Sequence, residues 1–573
     1  MKKTNTINLK NKKFIYQVWS ITAPYWKSHD KWFAWLLLIS IISLNFGTVK
    51  IAILYSNWNR DFFNLMQNKE WDNFWPLLGD FVWIMAVYTM VDLSEDYLRR
   101  TLRIRWRGWL TDSYLSKWLE NNNLYRHKVL PDAIDNPDQR VTNDIKAFCD
   151  NSLYMGLGLL RTVASLFSFM VILWNLSGEL AFDFAGCEWV IPGYMVWVAI
   201  VYSLFGTWLT HKVAKPLTKL HFSQEQNEAN FRFHLMRVRE HAESVSLQRG
   251  EQAELKTATQ LFSHVLKNWQ QLTNMKLRYN AFTSGYNEIA RIFPYLVAAP
   301  RLISGALQLG DMMQTATGFY RVQEAFSWFV DSYESVAEWK AITDRLITFH
   351  VQLEGLTVPQ AVSDHTDEPS WHDLTVSNPQ SDVLFDAGSG RFSDNTLITG
   401  ASGSGKSSLF RVFAGVWEFK TGRTALPKKE NSMFIPQNSY LPHSNLSAVL
   451  SYPYPADTWS KEVYSHALDV VNLTSLSLAL DDVVLWQDRL SGGEIQRVMI
   501  ARALVQKPDW VFLDEGLSAV DEETENTIYQ LLREHLLNTK IITISHRSNS
   551  AAWHQSHFKI CPTRHKLIKG HAC

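Results

Sequence analysis

Residues 396–413 read TLITGASGSGKSSLFRVF. A short β-prone run, a cluster of glycine and serine, and an apolar-periodic stretch follow one another, which reads as strand, loop and helix. Within it, Gly400, Ala401, Ser402, Gly403, Ser404, Gly405, Lys406 and Ser407 satisfy the spacing G-x-x-x-x-G-K-[ST]. Glycines at that spacing let successive backbone N–H groups converge on phosphate oxygens, and the helix N-terminus adds its partial positive charge. Lys406 would reach the β- and γ-phosphates of a nucleotide, and Ser407 would offer its hydroxyl to Mg²⁺, with Ser408 next in the first turn. The flanking strand and helix are what separate this match from a chance one.

Two further segments extend the pattern. Residues 510–515, WVFLDE, form an apolar strand ending in two acids. Such a strand would put Asp514 and Glu515 at the carboxyl edge of a sheet, where ligands sit in doubly wound folds. Asp514 would hold Mg²⁺ through water, and Glu515 would act as general base on the attacking water. The other reading is a strand that stops at a solvated turn. Residues 490–497, LSGGEIQR, place Ser491, Gly492 and Gly493 at a helix N-terminus, a second anion cradle; as bare sequence, SGG is only a turn. The strand-like runs LITG, MFIP, WVFLDE and IITIS alternate with helical ones, the rhythm of a parallel α/β sheet.

Across all 573 residues, Lys+Arg and Asp+Glu are both 56, which argues against a general nucleic-acid binder. Hydrophobic residues at 46% and charged residues at 20% exclude a mostly disordered chain. Cys149, Cys187, Cys561 and Cys573 are too scattered for a disulfide framework or a CxxC metal site.

The N-terminal half has a different character. Six segments have the length and apolarity to cross a bilayer: residues 32–55, 74–91, 153–176, 190–209, 289–307 and 312–330. A buried soluble helix is the competing reading for each. Lys2, Lys3, Lys10, Lys12 and Lys13 precede the first; Arg99, Arg100, Arg103, Arg105, Arg107 and Lys117 follow the second; Lys212, Lys215 and Lys219 follow the fourth. Glu179, Asp183 and Glu188 lie between the third and fourth without a Lys or Arg. The positive-inside rule then puts both termini in the cytoplasm. The two basic connections read as helices extending into the cytoplasm, and Glu228 and Arg232 on the second stand at i,i+4. Lys50, Arg161 and Arg301 fall in or near the spans, where a charge faces a water-filled cavity or snorkels to the interface. Residues 346–370, rich in Pro, Ser, Thr and acids towards their end, read as a linker.

LSGGEIQR resembles the signature motif of the ATP-binding cassette (ABC) ATPases. In that family it faces the γ-phosphate bound to the opposite subunit, so the resemblance implies a homodimer. By the same resemblance, Gln437 in FIPQNSYLP is the Q-loop glutamine that contacts Mg²⁺, Asp521 in LSAVD the D-loop aspartate, and His546 in IITISHR the switch histidine. Two departures stand out. Asn378 precedes Pro379 where the family often has an adenine-stacking aromatic, leaving Trp371 as a distant candidate, and EGLSAVD replaces the commoner EATSALD.

The membrane half is similar to the bacterial SbmA/BacA-like transporters fused to an ATPase, relatives of the peroxisomal fatty-acyl ABC transporters. The strings that carry this are RDFFN (60–64), IRWRGWLTD (104–112), DNPDQR (135–140), PGYMVW (192–197), EANFRFHLMRVREHAE (228–243) and APRLISGALQLGDMMQ (299–314). DNPDQR suits either a coupling elbow or a solvated loop cap. The resemblance implies an all-α, six-span, exporter-like membrane domain over residues 1–345 and an α/β P-loop ABC nucleotide-binding domain over 371–573. It implies a half-transporter of the bacterial inner membrane, in contact with lipid and hydrolysing ATP to move peptides, cobalamin-like or other hydrophilic cargo, with import one possible direction. The competing readings are a proton-gradient-driven carrier with a regulatory cassette, and a lipid or fatty-acyl exporter.

Overall fold

The computed structural model describes residues 14–129, 136–184, 187–356, 364–517, 520–545, 549–561 and 564–570. The chain divides into two compact units, one of Met1–Lys117 with Asn136–Glu354 and one of Trp118–Asp135 with Gly355–Cys573.

The first unit is built on six long helices: α1 Lys31–Asn68, α2 Phe74–Leu119, α3 Ile145–Ser177, α4 Tyr194–Glu240, α5 Glu251–Ile303 and α6 Leu309–Leu356. Each expected span lies mostly on a helix of its own, with 289–307 running past the helix end at Ile303. Three stretches, Lys31–Asn68, Trp71–Leu119 and Pro137–Ser177, contain windows of mean hydropathy 2.0, 1.5 and 1.9, long and apolar enough to cross a membrane. The segment 190–209 begins in a strand and turns helical only at Tyr194. The acidic connection before it is an antiparallel hairpin, β1 Glu179–Phe184 with β2 Cys187–Pro192. Gly178 (φ 64) and Gly193 (φ 62) close its base, with the Gly193 N–H donating to the Gly178 carbonyl at 3.0 Å. Both take the left-handed backbone that glycine adopts without steric cost.

Two of the strings behind the family resemblance are halves of one contact. The first turn of α6 has N–H groups with no partner inside the helix. Gln67 Oε1 accepts from Leu309 N at 2.6 Å and Asn64 Oδ1 from Gly310 N at 2.7 Å. One turn on, Gln314 Nε2 donates to Asn57 Oδ1 at 2.7 Å. Gly310 allows the approach, because a Cβ there would lie 1.9 Å from the Arg60 carbonyl oxygen. Helices α4 and α5 are joined by a reciprocal pair. Tyr202 Oη donates to the Tyr286 carbonyl at 2.7 Å and Tyr286 Oη to the Tyr202 carbonyl at 3.2 Å.

Arg140 of the DNPDQR string is tied into the helical unit. Its guanidinium and that of Arg345 both bind the buried Asp144 carboxylate, at 2.9 Å and, in two-pronged fashion, at 2.9 and 2.8 Å. Asp135 of that string lies outside the described residues. Glu228 accepts from Gln224 Nε2 at 2.8 Å rather than pairing with Arg232, because Gln224 is itself held by Asn268 of α5 at 2.9 Å. The expected linker at 346–370 starts later than the composition suggests. Leu346, Phe349 and Leu353, at helical spacing, are 1%, 0% and 0% exposed, and this buried stripe carries α6 on to Leu356.

The second unit holds a ten-stranded sheet. Its strands are β3 Asp364–His365, β4 Ser370–Ser377, β5 Val383–Arg391, β6 Thr396–Gly400, β7 Lys420–Leu426, β8 Ser432–Ile435, β9 Trp510–Asp514, β10 Lys540–Ile544, β11 Ser556–Cys561 and β12 Lys566–Lys569. Their order is β3-β7-β4-β5-β12-β11-β6-β10-β9-β8, and the run from β11 to β8 is parallel. The short helix Asn123–Val129, from within the stretch expected to belong to the membrane domain, goes with this unit. Tyr125 and Val129 pack against a core containing Trp417, Phe410 and Phe413, and Arg126 pairs with Glu418.

Substituting Gly310→Ala should lower the thermal midpoint of the detergent-solubilised protein, because overpacking against backbone costs roughly 1–3 kcal/mol. Gly285→Ala, where an added Cβ meets nothing within 4 Å, should leave it in place or raise it slightly. The fraction remaining monodisperse after heating reads both; equal behaviour would contradict the cap described here.

Candidate functional site

The glycine-rich loop runs from the end of β6 to α7 Lys406–Phe413. Gly403 (φ 77) and Gly405 (φ 94) occupy left-handed backbone. A Cβ on Gly405 would also lie 2.9 Å from Phe385, and one on Gly400 would lie 2.8 Å from Ser404 Oγ. The loop therefore closes around a backbone cradle that side chains would fill. Ser404 Oγ is buried there without a hydrogen-bond partner among the described residues. Lys406 Nζ donates to the carbonyls of Gly400 (2.9 Å) and Ala401 (2.8 Å). Burial holds the Lys406 ammonium below the usual lysine range, opposed by the carboxylates of Glu515 and Asp514. A partly desolvated cation beside a glycine-rich loop and a helix N-terminus is the kind of donor set that a polyphosphate requires.

The strand ends complete the edge. Asp514 terminates β9 and is buried, which raises its carboxyl above the usual range; a hydrogen bond from Ser407 opposes that shift. Glu515 follows with φ 50, an uncommon backbone for a non-glycine residue, and its N–H donates to the Ile544 carbonyl at 3.0 Å. Gln437, just beyond β8, donates from Nε2 to Glu515 Oε2 at 2.9 Å. Ser407, Asp514 and Gln437 together offer a hydroxyl, a carboxylate and an amide oxygen. Mg²⁺ bound through one or two carboxylates together with substrate phosphates asks for no more protein ligands than that.

Ser491 caps helix α8 Gly492–Gln506. Its Oγ donates to Glu494 Oε2 at 2.8 Å, its N–H donates there at 2.9 Å, and these bonds hold the Glu494 carboxyl low. Asp521 caps α9 Glu522–His535, accepting from Thr524 N at 2.8 Å. Among the described residues, no hydrogen bond joins Ser491, Gly492, Gly493 or Asp521 to the loop 400–407. Ser408 is buried in the first turn of α7. His546 lies outside the described residues.

Other positions resolve differently from their sequence reading. Trp371 is 4% exposed, donates from Nε1 to the Ala387 carbonyl at 3.1 Å and packs on Phe392 and Phe413. It is a core residue, unavailable to stack on a base. Asn378 closes the turn between β4 and β5, with its Oδ1 accepting from Asp382 N at 2.8 Å. In the membrane unit, Arg301 donates to the carbonyls of Leu176 (3.2 Å) and Ser177 and so caps the C-terminus of α3, while Lys50 is exposed. Arg161 lines two cavities. The Gln437–Glu515 bond spans 78 residues and carries no local signal in the sequence.

Gly405→Ala should weaken nucleotide binding by at least about tenfold, because the added methyl must displace Phe385 or unwind the loop. Fluorescent ATP-analogue titration of the purified protein would measure this; unchanged affinity would show that the loop does not bind phosphate.

The family description "ABC transporter transmembrane region 2" matches residues 21–303, and "ABC transporter" matches residues 391–518. The inner membrane ABC transporter ATP-binding protein YddA of Escherichia coli is 30% identical over 551 residues, 95% of this chain and 97% of its own length. The human lysosomal cobalamin transporter ABCD4 is 23% identical over 591 residues, 95% of this chain and 94% of its own. A bacterial Atm1-family ABC exporter solved with ATP bound superposes with a TM-score of 0.69 at 16% identity, over 93% of this chain and 94% of that one, so the fold is exporter-like. The chain belongs to the ABC transporters: it is an integral membrane protein whose membrane region is fused to an ATP-binding, ATP-hydrolysing cassette, related to the D-subfamily transporters.

Proposed function

We propose that this ATP-driven transporter works as a homodimer of half-transporters in a bacterial inner membrane, with both termini cytoplasmic, and takes up a hydrophilic cargo of the peptide or cobalamin type. The observation that carries the ATP site is the convergence of the glycine loop, Asp514, Glu515 and Gln437 at one sheet edge. In this reading the loop N–H groups and Lys406 hold the β- and γ-phosphates. Ser407, Asp514 and Gln437 would hold Mg²⁺, which, when bound, neutralises phosphate charge as the terminal group departs. Glu515, oriented by Gln437 and by its own backbone, accepts the proton of the attacking water.

Ser491 and Asp521 are each bonded within their own helix caps, and among the described residues neither they nor Gly492 and Gly493 bond the loop of the same chain, which fits a second copy as the completing half. Residues 491–493 would then face the γ-phosphate held by the partner, and His546 would contact it from the same chain as the loop. Basic connections on one side of the spans support cytoplasmic termini, and the relative named as an inner membrane protein supports the compartment. Cobalamin enters the reading through the name of the human relative. The gradient-driven alternative is the weaker reading, because it leaves an intact set of acids beside a formed phosphate loop without a task.

Sealed vesicles containing the protein, supplied with labelled cobalamin or a labelled peptide with a free carboxylate, test this reading. Movement that needs internal or external ATP and survives a protonophore is the expected result. Movement that follows the proton gradient and ignores ATP would overturn it. Chelating Mg²⁺ should abolish both hydrolysis and ATP-dependent movement.

A further inference from the structure

Two cavities in the membrane unit, of about 290 and 330 Å³, share Arg161, Ser165 and Arg321. Each is in the range that holds a small ligand. The first also meets Asn45, Glu95, Arg99 and Glu324. The second is walled by Tyr55, Phe81, Met85 and Tyr88, and its lining contains no acid. The shared arginines thus stand at the junction of a polar chamber and an aromatic one.

Both arginines sit deep in their helices. Arg161 is central in α3 Ile145–Ser177, about 24 Å along the axis from either end. Arg321 lies within the segment 312–330. A guanidinium at that depth is strongly disfavoured unless water or a counter-charge meets it. Among the described residues, no hydrogen bond or ion pair holds Arg161. Arg321 pairs with Glu324, one turn along its own helix, at 2.9 Å, and its guanidinium lies 6.0 Å from the centre of the Phe169 ring; neither side chain of the pair is buried by the protein (41% and 53% exposed). An exposed i,i+3 pair is worth too little to explain a mid-membrane charge. Arg99, which lines the polar chamber as well, is likewise paired within its own helix, with Asp96 at 2.8 Å.

We propose that Arg161 and Arg321 bind an anionic group, carboxylate or phosphate, of the transported hydrophilic molecule, an aromatic or aliphatic portion of which lies against Tyr55, Phe81, Met85 and Tyr88. This rests on the transporter reading above and names the chemical class of its cargo. Guanidinium groups bind such oxyanions through paired N–H donors, and the acid-free aromatic wall accepts the remainder. Arg161 and Arg321 set specificity through charge, and the neutral and cationic analogues of a cargo are excluded by desolvation of the unpaired guanidinium groups.

The test uses the full-length protein in phosphatidylcholine nanodiscs with three probes of similar body: 1-naphthyl phosphate, 1-naphthylmethanol and 1-naphthylmethylamine. Binding is read by tryptophan quenching and calorimetry. The unaltered protein should bind the phosphate at least about tenfold more tightly than the alcohol or the amine. Arg161→Gln and Arg321→Gln should each erase that preference, while Arg161→Lys and Arg321→Lys should keep part of it. Equal affinity for all three probes in the unaltered protein would overturn the proposal without recourse to any variant. Phosphate preference that persists in both Gln variants would overturn it as well. Discs containing phosphatidylglycerol distinguish a lipid source: loss of all naphthyl phosphate binding in phosphatidylcholine, with the arginines instead governing retention of phosphatidylglycerol, would assign them to a headgroup and remove the cargo claim. Mg²⁺-dependent ATP hydrolysis is measured in the same discs. Hydrolysis without anion preference sinks the cavity proposal alone; anion binding without hydrolysis sinks the transporter reading and leaves the site.

Discussion

Parallel pairing of β6, β10, β9 and β8 is the constraint on which the nucleotide site rests. Parallel strands present their carboxyl ends on one side, so the loop after β6, the acids at the end of β9 and Gln437 beyond β8 emerge along one edge. The register is fixed by packing as much as by hydrogen bonds. Phe434 of β8 sits opposite Phe512 of β9, and their rings stack with centroids 4.4 Å apart. Phe410 of α7 meets Phe434 edge-on at 5.3 Å. The helix that carries Lys406 and Ser407 is therefore seated on the same aromatic group that aligns the strands carrying Asp514 and Gln437.

The features readable in the sequence are those whose cause is local. The spacing of Gly400, Gly405 and Lys406 implies its loop because only certain residues can adopt that backbone, and the alternation of apolar strands with helical runs implies the sheet. Six apolar segments imply six helices for the same reason. What could not be read depends on pairing over distance. Asn64 and Gly310 are far apart in the chain, yet one caps the helix the other begins. The left-handed backbone of Glu515 has no composition signal, and its N–H is bonded across to β10 at the Ile544 carbonyl. Trp371 could have been a base platform by its position, but core packing with Phe392 and Phe413 claims its ring. The extent of α6 was obscured by composition, because Pro359 and the acids after it dominate the stretch whose beginning is a buried helical stripe.

The membrane unit shows the same division. Charges in spans were visible as anomalies, but their roles separate only in three dimensions. Arg301 satisfies helix-end carbonyls, Lys50 is exposed, and Arg161 faces a cavity. Arg321 and Glu324 interrupt the last apolar segment, and both line the polar chamber. A transporter needs such a space, since a polar cargo must find polar partners where lipid offers none.

The most direct measurement is the rate of ATP hydrolysis by the purified protein in lipid beside its Glu515→Gln variant, with ATP binding measured on both. The substitution keeps the shape of the side chain and its place beside Gln437 but removes the carboxylate that accepts a proton. Binding retained in both and turnover lost by at least about a hundredfold in the variant is the expected result. Equal turnover in the two would contradict the assignment of Glu515 and, with it, the catalytic reading of the sheet edge.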